Sequence, residues 1–171
     1  MNMSYTGIGS RNTPSDILNI MTAIAKKLDQ RGFVLRSGGA KGADSAFEAG
    51  ATATEIYVPW KGFENSTSTF IVQPGKAFEI AKQFHPVWDK LSQGAKKLHS
   101  RNAHQVLGYN LDSPSKFVIC WTPDGCINKA TRKRTTGGTG MAIAIADHYG
   151  IPVFNLQRSD HYKRLSGLLQ E

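Results

Sequence analysis

Cysteine is nearly absent: Cys120 and Cys126 are the only thiols in 171 residues. That excludes the disulfide framework of a small secreted scaffold, and Cys120, inside an apolar run, reads as a small buried hydrophobe. A reducing cytoplasm is the expected compartment. No run approaches the roughly 18 consecutive apolar residues of a membrane span, and the start of the chain shows no basic stretch followed by an apolar one. No membrane partner is expected. His85, His99, His104, His148 and His161 form no HExxH and no cluster with cysteine, so no metal site is expected. Acidic residues are scarce as well, 13 against 21 lysines and arginines, for a formal net charge of +8. Such a balance favours polyanionic partners, nucleic acid or nucleotides.

What remains is ordinary for a globular chain, 40% hydrophobic and 20% charged, and long enough for one domain over residues 1–171. Apolar runs at 5–9, 33–35, 55–60, 117–121 and 151–155 read as strands. Between them lie stretches of helical periodicity. The first opens at Thr13-Pro14, threonine as N-cap and proline at the first helical position, and carries Ile17, Ile20, Met21, Ile24 and Leu28 on one stripe before Gly32. Others cover about 45–51, 74–84, 96–109, 141–146 and 159–169, with a short amphipathic piece near 87–91. Residues 61–69 read as a polar loop that could cover a site. Strands alternating with helices predict an α/β fold, a mainly parallel sheet flanked by helices in three layers.

Three strand-to-helix junctions are rich in glycine and hydroxyls: Gly9-Ser10-Arg11, then Ser37-Gly38-Gly39-Ala40-Lys41-Gly42-Ala43-Asp44, then Gly137-Gly138-Thr139-Gly140. In an open parallel sheet such junctions converge beyond the carboxyl ends of the strands. Backbone N–H groups and the positive end of a helix dipole then face a common ligand, and glycine lets an anion approach the backbone. A phosphate gains only about 0.3–1 kcal/mol from one dipole, so cations are needed too. Arg11, Lys41 and Arg101 are the candidates. Neither glycine loop is a P-loop or a GxGxxG fingerprint, which argues against an ordinary ATPase or a dinucleotide-dependent dehydrogenase.

These residues also resemble a known family. Gly9-Ser10-Arg11 before a helix, Ser37 through Asp44, Arg101-Asn102 in a helical segment and Gly137-Gly138-Thr139-Gly140 fall in the order seen in the Rossmann-like domain of the DNA-processing protein A (DprA/Smf) family. The likeness spans about residues 5–156. The wider superfamily includes the LONELY GUY-type nucleotide phosphoribohydrolases and nucleotide-sensing domains, so hydrolysis of a nucleotide and sensing of a small nucleotide signal are the alternatives. The resemblance implies a Rossmann-like fold, binding of a nucleotide or single-stranded DNA, no cofactor, a possible homo-oligomer and a recombinase partner. Ser10, Arg11, the loop Ser37 to Gly42, Arg101 and Asn102 would then form the phosphate-binding surface. Residues 61–97 and the basic segment with Lys129, Arg132, Lys133 and Arg134 depart from the family's pattern. A compact stand-alone version, of the kind mobile elements or phages encode, is the expectation.

The related phosphoribohydrolases cleave an N-glycosidic bond and place a glutamate after the second glycine motif. Here Met141-Ala142-Ile143-Ala144-Ile145 offers no carboxylate, so catalysis is not assigned. Asp44 and Glu48, one helical turn apart, could serve as acid, base or ribose ligand, or simply as helix charges. Thr122 and Asp124, after the most apolar strand, could contact a ligand hydroxyl or base edge, or could form a plain turn. His99 and His104, near Arg101, could face the same pocket or the surface. Trp60 and Trp121 could stack a base or pack in the core. The basic segment could track a nucleic-acid backbone or be a solvated face.

Overall fold

The computed structural model describes residues 3–170. Its organising element is β1 (Ser4–Gly7), buried at all four positions. Around it run α1 (Ser15–Gln30), β2 (Val34–Ser37), α2 (Ala43–Gly50), β3 (Thr54–Val58), β4 (Phe70–Ile71), α3 (Lys76–Gln83), α4 (Gln93–Leu107), β5 (Val118–Cys120), α5 (Thr139–His148), β6 (Val153–Asn155) and α6 (Ser159–Gln170). The six strands form one sheet in the order β4-β3-β2-β1-β5-β6, every neighbouring pair parallel. The chain grows one way from β1 through β4 and then returns to add β5 and β6 on the other side. The reversal between β1 and β5 opens a crevice at the carboxyl ends of the strands.

The pleat divides the core. Val118 and Cys120 face a cluster supplied by α3, α4 and α5, among them Ala81, Val106 and Met141. Ile119 faces the opposite cluster with Met21 of α1, Phe47 of α2 and Leu165 of α6. Helices therefore cover both faces, and the strands read as continuous apolar runs because neither face is wet. No described helix is long and apolar enough to cross a membrane.

Three features differ from the sequence reading. Thr13 does not cap α1; Pro14 takes that position, and the Thr13 hydroxyl donates to the Ser10 carbonyl at 2.6 Å. It thus braces the turn after β1. β4 is a two-residue edge strand paired to Tyr57 and Val58, in the gap between the polar loop read over 61–69 and the helix read from 74. His104 is no surface residue: it is fully buried, its ring stacked on Tyr57 at 5.4 Å. A neutral imidazole satisfies that site, and burial pulls its pKa below the ordinary value.

Candidate nucleotide-binding cleft

The crevice is a cleft of about 320 Å³. It is built where three junctions touch. Gly9 makes this possible, since a Cβ there would lie 2.7 Å from the Ala43 side chain and 3.2 Å from the Trp121 carbonyl. Gly42 adopts φ +89°, and a Cβ there would come within 3.2 Å of the Arg11 backbone. The junctions after β1 and β2 therefore lie against each other, and the end of β5 completes the contact through the Ser10 N–H bond to the Trp121 carbonyl, 3.1 Å.

Of the residues singled out from sequence, the cleft brings together Gly9, Ser10, Arg11, Asp44, His99, Arg101, Asn102, Gly137, Gly138 and Thr139. Arg11 is exposed at the rim. Arg101 reaches across from α4: one guanidinium nitrogen donates to the Gly38 carbonyl at 3.1 Å, and its carbon sits 5.2 Å from the Phe63 ring centroid. Phe63 belongs to the polar stretch after β3, which thus does pack beside the site. The Nε of Arg101 is buried with no partner, as is Oε1 of Gln105. Gln105 and Asn102 both line the cleft. Gln105 lies four residues after Arg101, one helical turn along the same face.

Asp44 is buried at the N-terminus of α2 and accepts from the Ala40 N–H at 3.1 Å. Burial pushes its carboxyl up from the ordinary value, against the opposing pull of Arg101, the Ala40 N–H, Ser37 and Arg11. Burial likewise lowers Arg101; Asp44 opposes that shift and Arg11 reinforces it. The two basic groups repel each other across a cleft with one reluctant carboxylate. An anion seated there would relieve the repulsion. On the far wall, Gly137 and Gly138 have open space where a side chain would be, and the Gly138 and Thr139 N–H groups open α5; those of Gly140 and Met141 already donate to the Gly137 and Gly138 carbonyls at 3.0 and 3.2 Å.

Other sequence candidates lie elsewhere. Lys41 is 85% exposed and 3.9 Å from Glu64, outside the lining of this cleft. Gly39 lines a separate shallow site with Ser45 and Glu48. Ser37 is buried and donates to the Gly7 carbonyl at 2.6 Å. Gly38, Gly42 and Gly140 are not among the lining residues; Gly38 packs against Gln105, Asp44 and Arg101, Gly42 against the Arg11 backbone and Gly140 against Arg132. Thr122 and Asp124 sit beneath the second glycine turn: Asp124 accepts from Thr122 at 3.0 Å, Thr135 at 3.1 Å and Thr136 at 2.6 Å. Burial pushes Asp124 up, but bonds from Thr136, Thr122, Thr135 and the Cys126 N–H together hold it below the ordinary carboxylate range. It anchors the turn that Gly137 and Gly138 present. Trp60 is 41% exposed and stands edge-on to Phe63, while Trp121 packs against the core. Glu48 lies outside the cleft. Among the described residues no cluster of histidine, cysteine or carboxylates could hold a metal.

No family model matches the chain, and no curated protein does. A solved structure does: DNA processing protein A from Helicobacter pylori, 19% identical, with a TM-score of 0.56 over 96% of this chain and 72% of that one. The fold is DprA-like. That relative is a protein with a described mode of binding single-stranded DNA. The match covers 96% of this chain.

Proposed function

We propose that this chain binds single-stranded DNA, or a nucleotide, by gripping phosphate in the cleft formed by Arg11, Arg101 and the first turn of α5. The observation that carries the reading is the convergence of those two cations and that helix N-terminus on one cleft of about 320 Å³, with the Arg101 Nε buried and unpartnered. A charge-assisted bond to that nitrogen is worth more than a neutral one, roughly 1.5–3 kcal/mol. Ser10 adds a hydroxyl whose oxygen already accepts from the Asn12 N–H at 3.0 Å, leaving its proton to donate. Asn102 and Gln105 supply amides that can address a sugar or base edge. The DprA-like fold and the net charge of +8 support the same reading.

Fluorescence anisotropy with a labelled oligothymidylate tests it. The unmodified protein should bind, Arg11→Ala and Arg101→Ala should each weaken binding about tenfold or more, a change of ~1.4 kcal/mol, and circular dichroism should stay unchanged. Equal affinity in both variants would place the site elsewhere. Asp44 favours a second reading, hydrolysis of a nucleotide N-glycosidic bond, because a buried carboxyl with a raised pKa lining the cleft has the character of a general acid. Chromatographic detection of free base from nucleoside monophosphates, lost in Asp44→Asn, would establish that activity.

A further inference from the structure

The cleft does not stop at Arg101. His99, two residues earlier on α4, lines its wall, and its ring meets that of His85 at 4.6 Å between centroids and 65° between planes. His85 lies just past α3. The Nη1 of Arg132 donates to the Phe84 carbonyl at 2.6 Å, and the Lys129 ammonium lies 5.9 Å from the Phe84 ring centroid. These contacts pin the basic segment against the end of α3. Arg132 also lies against Gly140, where a Cβ would come within 2.9 Å of its Nε. The segment is thus docked at the mouth of the cleft, beside the glycine turn.

No carboxylate answers this cluster. Among the described residues the ion pairs join Arg36 to Glu55, Lys41 to Glu64, Lys82 to Asp89 and Arg158 to Asp160, and none includes His85, His99, Arg101 or Arg132. The groups facing His99 are His85 from the end of α3, Arg132 from the basic segment and Arg101 from its own helix; Arg132 faces His85 too. All are basic. Asp124 is engaged by threonines, and Asp147 accepts the Lys129 N–H at 3.0 Å. Burial, then His85, Arg132 and Arg101, hold His99 down to about 4, and burial and Arg132 lower His85. Two imidazoles kept neutral between two arginines are a poor stability device, since like charges so placed repel whenever either ring takes a proton.

We propose that His85, His99 and Arg132 form a second phosphate subsite at the mouth of the cleft, one that prolongs the first along a bound strand and tightens as the pH falls. This rests on the reading of the main cleft as a phosphate site. A phosphate there accepts from Arg132 and from imidazole N–H groups. The anion stabilises each protonated ring, so acid raises affinity and the bound anion raises the histidine pKa.

The test is anisotropy with labelled oligothymidylate, whose bases do not titrate in the range used, at about pH 8 and about pH 5.5 and one ionic strength. Circular dichroism accompanies each condition. The unmodified protein should gain roughly tenfold in affinity on acidification, and in the double variant His85→Gln/His99→Gln that ratio should collapse toward one. His99→Lys, which carries a cation at both pH values, should bind at the higher pH nearly as tightly as the unmodified protein does at the lower. If the double variant loses structure, His85→Gln alone should still reduce the ratio. An undiminished acid gain in a folded histidine variant, or no gain in unmodified protein that binds, overturns the subsite and leaves the main cleft standing. Failure to bind at either pH overturns both.

Discussion

The two glycine turns look alike in sequence and serve opposite ends. The one after β2 is packed inward. A Cβ on Gly38 would lie 2.1 Å from Nε2 of Gln105, 2.9 Å from Oδ2 of Asp44 and 3.0 Å from Nε of Arg101. Glycine there lets protein approach protein, drawing the buried polar group of Asp44, Arg101 and Gln105 around a bare backbone. The turn before α5 is the reverse. Gly137 and Gly138 meet nothing within 4 Å. The Gly140 and Met141 N–H groups donate to the Gly137 and Gly138 carbonyls at 3.0 and 3.2 Å, so the donors this bare turn can offer a ligand are the N–H groups of Gly138 and Thr139. Glycine-rich loops therefore divide into those that assemble a site and those that present it, and the sequence pattern alone does not say which is which.

Substitutions can break that contrast. The largest effect is expected at Gly42, where alanine meets both a left-handed φ of +89° and the Arg11 backbone at 3.2 Å. Gly42→Ala should lower stability by about 1–3 kcal/mol in urea denaturation. Gly138→Ala, at φ −61° with open space around it, should change stability by less than about 0.5 kcal/mol yet weaken oligonucleotide binding severalfold. Equal losses of stability at the two positions would erase the distinction. Asp124→Ala should fall between, costing about 1–2 kcal/mol because the buried Thr136 hydroxyl loses its acceptor, and it should loosen the presenting turn enough to weaken binding.

The last expected effect concerns pH. His99 is held below its ordinary 6.5, down to about 4, in the folded chain. The unfolded chain takes the proton first, so this contribution to stability is complete above 6.5 and is lost as the pH falls toward about 4. Asp44 acts in the opposite sense, because its raised pKa lets the folded chain take the proton first. Urea midpoints measured against pH should therefore show a shallower acid decline in His99→Gln than in the unmodified protein.

Much of the frame was legible in the chain. Apolar runs bounded by glycine and proline located five of the six strands, and their alternation with helical stripes specified a parallel sheet covered on both sides. The exception, β4, holds only Phe70 and Ile71 in register with Tyr57 and Val58, too short for periodicity to register. The site was legible as a set of loops, less so as a set of atoms. Arg36 shows why: it adjoins the first glycine turn, yet strand alternation sends it away to Glu55 at 3.3 Å and to the Ser113 carbonyl. Lys41 also lies outside the cleft, its exposed ammonium 3.9 Å from Glu64. Gln105 was the opposite case, a cleft residue on the helical face of Arg101 that spacing could have found. Asp124 could not have been assigned from sequence, because its threonine partners at 135 and 136 come near only after the chain returns toward the end of β5.

The central claim is that the cleft holds nucleotide phosphate, and the salt dependence of binding tests it most directly. Oligothymidylate affinity measured across a salt series should fall linearly on a log–log plot for the unmodified protein. In Arg11→Ala the line should lie lower and be shallower by about one contact, a slope change of roughly 0.7 for a single strand. Identical lines for the two proteins, or no binding at the lowest salt, would contradict it.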